Sequence, residues 1–112
     1  MKKNDVVYLN HILDAINQIE TYTANLSYTQ FAQHRLVQDG VIRQLEIIGE
    51  ASRNLSPDFQ AQYQELPWSQ IIGLRNRLIH AYFDINLGIV WDIAQNDLPV
   101  LKDKVSSIIR SS

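Results

Sequence analysis

Apolar residues recur at intervals of three and four along nearly the whole chain, and the strict alternation that marks a half-buried strand is almost absent. The fold class this predicts is all-α. A first stripe, Val7, Leu9, Ile12, Ala15, Ile16 and Ile19, predicts a helix from about Asn4 or Asp5 to Thr23, and Asn25 to Ser27 interrupts it. Ser27 is suited to cap a short helix through Phe31, which either runs on or bends into a long second helix ending near Asn54. Gly40 is the candidate bend. Within the second helix Val41, Leu45, Ile48 and Leu55 share one face.

Ser56, Pro57 and Asp58 read as a turn, with Pro57 near the first position of a short helix to about Gln64. Pro67 then opens an element in which Trp68, Ile71, Ile72, Leu74, Leu78 and Ile79 predict a helix to about Phe83, with Gly73 permitting another helix to approach closely. Asp84, Ile85 and Asn86 make a connector of the length expected between antiparallel helices. A last helix from about Leu87 should turn Ile89, Val90, Trp91, Ile93 and Ala94 inward, then kink or restart at Pro99 before running through Leu101 to Ile109. The simplest architecture is a four-helix bundle with short additional helices, spanning residues 1–112 as a single domain. Trp68 and Trp91 are expected in the core or at a contact between copies rather than as platforms for stacked bases.

Composition narrows the function classes. The chain has 112 residues, 46% of them hydrophobic, enough for one core. A chain this small builds a useful cleft more easily between two copies than inside one, so a symmetric homodimer is expected. It has no cysteine, which excludes disulfides and cysteine-based zinc sites and fits a reducing cytosol. No basic stretch leads into a long apolar run at its start, and no stretch approaches the ~20 apolar residues needed to span a bilayer. The expectation is a soluble, cytoplasmic protein with no membrane partner. A formal charge of -2 means that any attraction for nucleic acid must be local.

Candidate chemistry gathers in one octet: Arg75, Asn76, Arg77, Leu78, Ile79, His80, Ala81, Tyr82. Arginine offers a planar fork of donors matched to a phosphoryl group, and histidine's ordinary pKa, about 6.5, suits it to move protons. Asn76 and His80 stand four apart and share a helix face, where the amide can orient the imidazole. Arg75 falls about 140° from His80 around a regular helix, a gap that its long side chain can bridge. Internal attack on a phosphodiester by a neighbouring hydroxyl needs a base, an acid and positive charge on the phosphorane, and requires no metal. His80 is the candidate base or acid and Arg75 the electrostatic clamp, with Arg77 as a further phosphate contact.

Arg75, Asn76 and His80 meet the RNxxxH pattern, and Tyr82 extends it to RxxxxHxY. Together with Leu45 to Ala51 (LEIIGEA), Pro67-Trp68, Val90-Trp91 and Asp97-Leu98-Pro99, the octet resembles the HepT toxins of the HEPN superfamily. That resemblance implies a HEPN-type helical bundle and a toxin endoribonuclease with its site at a dimer cleft. It also implies a minimal nucleotidyltransferase antitoxin as partner, in a hetero-oligomer with the dimer, and silencing by AMP attached to Tyr82. No cofactor is implied.

Other readings stand beside these. His80 can simply favour the negative end of its helix, with Arg75 and Arg77 in water, and Tyr82 can be a boundary aromatic with a wet hydroxyl. The stripe Arg43, Glu46, Glu50, Arg53 is either a solvated face laced by ion pairs or the source of an acid, Glu46 or Glu50, facing Arg75 or Arg77. His11 and His34 match no metal-ligand pattern and read as ordinary. The competing function is a non-catalytic subunit that holds a nucleotide or substrate for a partner nucleotidyltransferase; a purely structural helical dimer ranks below it.

Overall fold

The computed structural model describes residues 1–80 and 86–111, with residues 75–80 given by their backbone alone. The elements are α1 (Lys3–Thr23), α2 (Tyr28–Ala32), α3 (Arg35–Arg53), α4 (Pro57–Gln62), α5 (Trp68–His80), α6 (Leu87–Asp92), a π-helical segment (Ile93–Asp97) and α7 (Leu98–Arg110). No strand occurs among the described residues, so the fold is all-α, as the periodicity predicts. α1 packs along α3 and α3 along α5, while α7 returns against α1. No helix among the described residues is long and apolar enough to cross a membrane.

The core follows the predicted stripes. Leu9, Ile12, Ile16 and Ile19 of α1 meet Val41, Leu45 and Ile48 of α3, with Phe31 and Val105 in the same core; all are buried. Each such side chain contributes roughly 1.5 to 3 kcal/mol of transfer free energy. Two expected members point outward instead. Val7 precedes Leu9 by two residues, about 200° around a helix, and is 44% exposed; Ile89 lies one residue off the buried Val90 and is 46% exposed.

The breaks have local causes. Asn25 takes a left-handed φ of 65° just beyond α1, a conformation asparagine tolerates better than most residues. Ser27 forms a full capping box with Gln30, its hydroxyl accepting from Gln30 N at 3.2 Å while Gln30 Oε1 accepts from Ser27 N at 2.9 Å. The second helix does bend, but at His34 rather than Gly40. His34 leaves helical geometry (φ -114°, ψ 87°) and caps α3 through Nδ1, which accepts from Val37 N at 3.3 Å. Buried Gln38 staples the bend, donating from Nε2 to the carbonyls of Phe31 (2.9 Å) and Ala32 (3.0 Å).

The close approach expected at Gly73 occurs at Gly40 instead. Gly40 is where helices approach closely, since a Cβ there would sit 3.1 Å from the Tyr22 ring. Gly73 meets nothing within 4 Å among the described residues and opens onto a groove. The expected disturbance at Pro99 takes the form of the π segment. Proline has no N–H for the carbonyl four residues back, and the preceding turn widens so that Leu98 N donates to Ile93 O, five residues away.

Candidate active site

The motif helix is pinned at its start by a chain of contacts that runs back to the first turn of α1. Asp5, buried to 3% exposure, accepts from both the backbone N (2.8 Å) and the hydroxyl (2.7 Å) of Ser56. Ser56 in turn caps α4, its hydroxyl accepting from Phe59 N at 3.2 Å. The Phe59 ring contacts Tyr63 (4.7 Å between centroids) and Trp68 (5.9 Å). Trp68 Nε1 donates to Tyr63 O at 3.0 Å, fixing the first residue of α5. Trp68 thus belongs to the core, as expected; half-buried Trp91 packs its ring on Phe31 and Tyr28, at 5.0 and 6.3 Å.

From that anchor α5 is helical through His80, so Asn76 and His80 stand one turn apart in register on a continuous helix. The side chains of Arg75, Asn76, Arg77 and His80 lie outside the described part, and so does the convergence expected of Arg75 and His80. Residues 81–85, Tyr82 among them, also lie outside the described residues, as do Phe83 as the expected helix end and Asp84-Ile85 as the expected connector. Asn86, the connector's last residue, caps α6 by accepting from Ile89 N at 3.2 Å.

Among the described residues, one concavity lies beside α5 and another beside α3, on which α5 packs. The larger, about 760 Å³, runs between α5 and the α6–π–α7 unit. Its walls are mainly apolar, with Ile71, Leu74, Ile89, Val100 and Leu101 among them, and Lys104 and Asp97 stand at its rim. Ile89 and the half-exposed Val100 leave apolar surface open there.

The smaller, about 260 Å³, lies between α1 and α3 and is polar. Both acids of the charged stripe reach it, Glu46 and Glu50, together with Arg43, Tyr8, His11 and Asn54. Arg43 pairs with Glu46 at 3.6 Å, three residues apart, which is the ion-pair reading of the stripe. Whether either acid also faces Arg75 or Arg77 involves side chains outside the described part. The sequence reading left Tyr8 unremarked and took His11 as ordinary. The signal was their spacing of three on α1, with ring centroids 6.0 Å apart in an edge-on contact.

Comparison with known proteins converges with this picture. A Methanocaldococcus jannaschii protein named for gamma-glutamylcyclotransferase and candidate RNase is 40% identical over 109 residues, 97% of this chain; the chain spans 49% of that protein. A second M. jannaschii protein, named as a candidate RNase, is 39% identical over 96% of this chain and 100% of its own length. A Thermococcus cleftensis protein named "Probable ribonuclease HepT" is 39% identical over 96% of this chain and 98% of its own. No solved structure gives a significant match. The family model described as "Ribonuclease HepT-like" matches residues 12–108, a span that takes in the core helices, the RNxxxH helix and the π segment alike. With an all-α fold, the motif on one unbroken helix and full-length relatives of the same kind, this chain belongs to the ribonuclease HepT-like family.

Proposed function

We propose that the chain is a metal-independent endoribonuclease, the toxin of a toxin–antitoxin pair, acting in the cytoplasm as a single-domain protomer of a homodimer. The observation that carries this reading is the family match across residues 12–108, joined to an intact Arg75, Asn76 and His80 on continuous helix. In the reaction a base takes the proton of the RNA 2'-hydroxyl, whose oxygen attacks the adjacent phosphorus. An acid returns a proton to the departing 5'-oxygen, leaving a 2',3'-cyclic phosphate and a 5'-hydroxyl. His80 serves as base or acid, and Arg75 stabilises the added charge on the phosphorane. Asn76 orients the imidazole, and Arg77 holds a flanking phosphate without reading its base. The dimer supplies a second His80 and Arg75, so one site can hold base and acid together. The apolar groove beside α5, with Ile89 and Val100 exposed on it, supports seating the second copy there.

Tyr82 is the regulatory position in this reading. A partner nucleotidyltransferase transfers AMP from ATP to the phenol oxygen, releasing pyrophosphate. The added charge and bulk two residues from His80 repel the RNA backbone. Expression of the chain alone should arrest growth, and Arg75→Ala or His80→Ala should relieve the arrest; equal toxicity of both variants refutes the ribonuclease reading. Co-expression with the antitoxin should add about 329 Da per adenylate to the mass of the chain, and Tyr82→Phe should abolish that increment.

A further inference from the structure

The polar cleft between α1 and α3 is not accounted for by cleavage chemistry on α5. We infer that it is a nucleotide-reading subsite, built for one guanine base and its phosphate, in which Glu46 and Arg43 read opposite ends of the ligand. The inference rests on RNA being the substrate, and it gives that substrate a preferred base.

Its volume, about 260 Å³, falls just short of the ~300 to 1,000 Å³ typical of drug-sized sites, which leaves room for a single base rather than a stacked pair. The lining is mixed in a specific way. Tyr8 and His11 present an aromatic pair, 6.0 Å apart and nearly perpendicular at 82°, so that one ring can lie under a base while the other closes its edge. Base–aromatic stacking of this kind contributes roughly 1 to 3 kcal/mol per base. Glu46, with its side chain 23% exposed, is the more sheltered partner of its ion pair; Arg43, at 69%, extends into solvent. Their 3.6 Å contact is long and water-exposed on the arginine side, so little is lost when a ligand opens it.

The charge order selects the ligand class. A carboxylate accepts only, and guanine alone among the bases offers two adjacent donors, N1–H and the N2 amino group, on its pairing edge. Adenine places an acceptor where guanine has N1–H, so the sheltered carboxylate repels it. A cation such as a polyamine would suit Glu46 and Glu50 but not Arg43. Among the described residues no three His, Asp or Glu side chains converge to hold a metal ion, so the cleft is not a metal cage. A base with a donor edge and a phosphate on the far side satisfies Glu46 and Arg43, and Asn54 in the lining adds an amide for the ribose or the base.

The test is a titration of the 15N-labelled full chain with GMP, AMP, guanosine, inorganic phosphate and spermidine, followed by amide shifts. GMP should bind about tenfold more tightly than AMP, with shifts centred on Tyr8, His11, Arg43 and Glu46. Glu46→Gln, which keeps the shape, should erase the preference for GMP; Arg43→Ala should weaken GMP but leave guanosine unchanged. Equal affinity for GMP and AMP, shifts centred elsewhere, binding of spermidine or phosphate alone, or no saturable shift would each overturn the inference. The binding readout is independent of cleavage. An active nuclease that ignores GMP sinks the subsite alone, whereas GMP binding by a chain that cuts no RNA sinks the nuclease reading.

Discussion

Removing the Asp5 carboxylate should loosen the fold at the point where α1 holds the start of the motif helix. The side chain is 3% exposed and accepts two hydrogen bonds from Ser56, at 2.8 and 2.7 Å. Hydrogen bonds to a charged group contribute about 1.5 to 3 kcal/mol each. A negative charge in the first turn of α1 adds about 0.3 to 1 kcal/mol through the helix dipole. Ser56 is only partly buried, so water can recover part of the loss once the carboxylate is gone. We therefore expect Asp5→Ala to cost about 3 kcal/mol, a large share of the ~5 to 15 kcal/mol typical of a domain. Asp5→Asn keeps an acceptor for the Ser56 amide but not for its hydroxyl, and should cost about half as much. Urea denaturation followed by helical circular dichroism, at one fixed protein concentration, measures both. With a slope near 2 kcal/mol/M the alanine variant should unfold about 1.5 M earlier. A loss below about 1 kcal/mol for Asp5→Ala, or identical losses for the two variants, would show that the Asp5 to Ser56 contact does not clamp α1 to α4.

Three other outcomes follow from packing. Ser52 is fully buried and its hydroxyl has no hydrogen-bond partner among the described residues, so Ser52→Ala should leave stability unchanged or raise it by up to about 1 kcal/mol, and a clear fall in melting temperature would contradict this. In the separated protomer Gly73→Ala should gain up to about 1 kcal/mol of helix propensity, because its Cβ meets nothing within 4 Å among the described residues. Gly40→Ala should fall short of that gain because the Tyr22 ring must shift, and equal effects in thermal melts would refute the distinction. Ile89→Glu combined with Val100→Glu should convert the proposed homodimer to monomer in sedimentation while helicity persists; an unchanged dimer would move the interface away from the groove beside α5.

Periodicity carried most of the helical architecture because the stripes of Leu9, Ile12, Ile16 and Val41, Leu45, Ile48 are local patterns that burial then respects. What the sequence hid was decided by distance. Asp5 and Ser56 are 51 residues apart, and nothing in either neighbourhood announces the other. Gly40 and Gly73 are alike on paper, and only the α1 to α3 crossing at Tyr22 tells the close approach from the open position. Pro99 signalled a disturbance, but not that the turn before it would widen instead of kinking or restarting. The motif on α5 was legible because its chemistry is contained in one short segment. The cleft of Tyr8, His11, Arg43 and Glu46 was not, since its two halves come from separate helices whose pairing must be known first.

The central claim is that the RNxxxH helix cuts RNA, and the ends of the cut strands test it most directly. The chain, purified alone and unadenylated, should convert RNA to fragments bearing 2',3'-cyclic phosphate and 5'-hydroxyl termini with a chelator present, and folded His80→Ala should lose at least 100-fold of that rate, the lower range for a general acid or base. Fragments ending in 3'-hydroxyl and 5'-phosphate, or undiminished cleavage by His80→Ala, would contradict it.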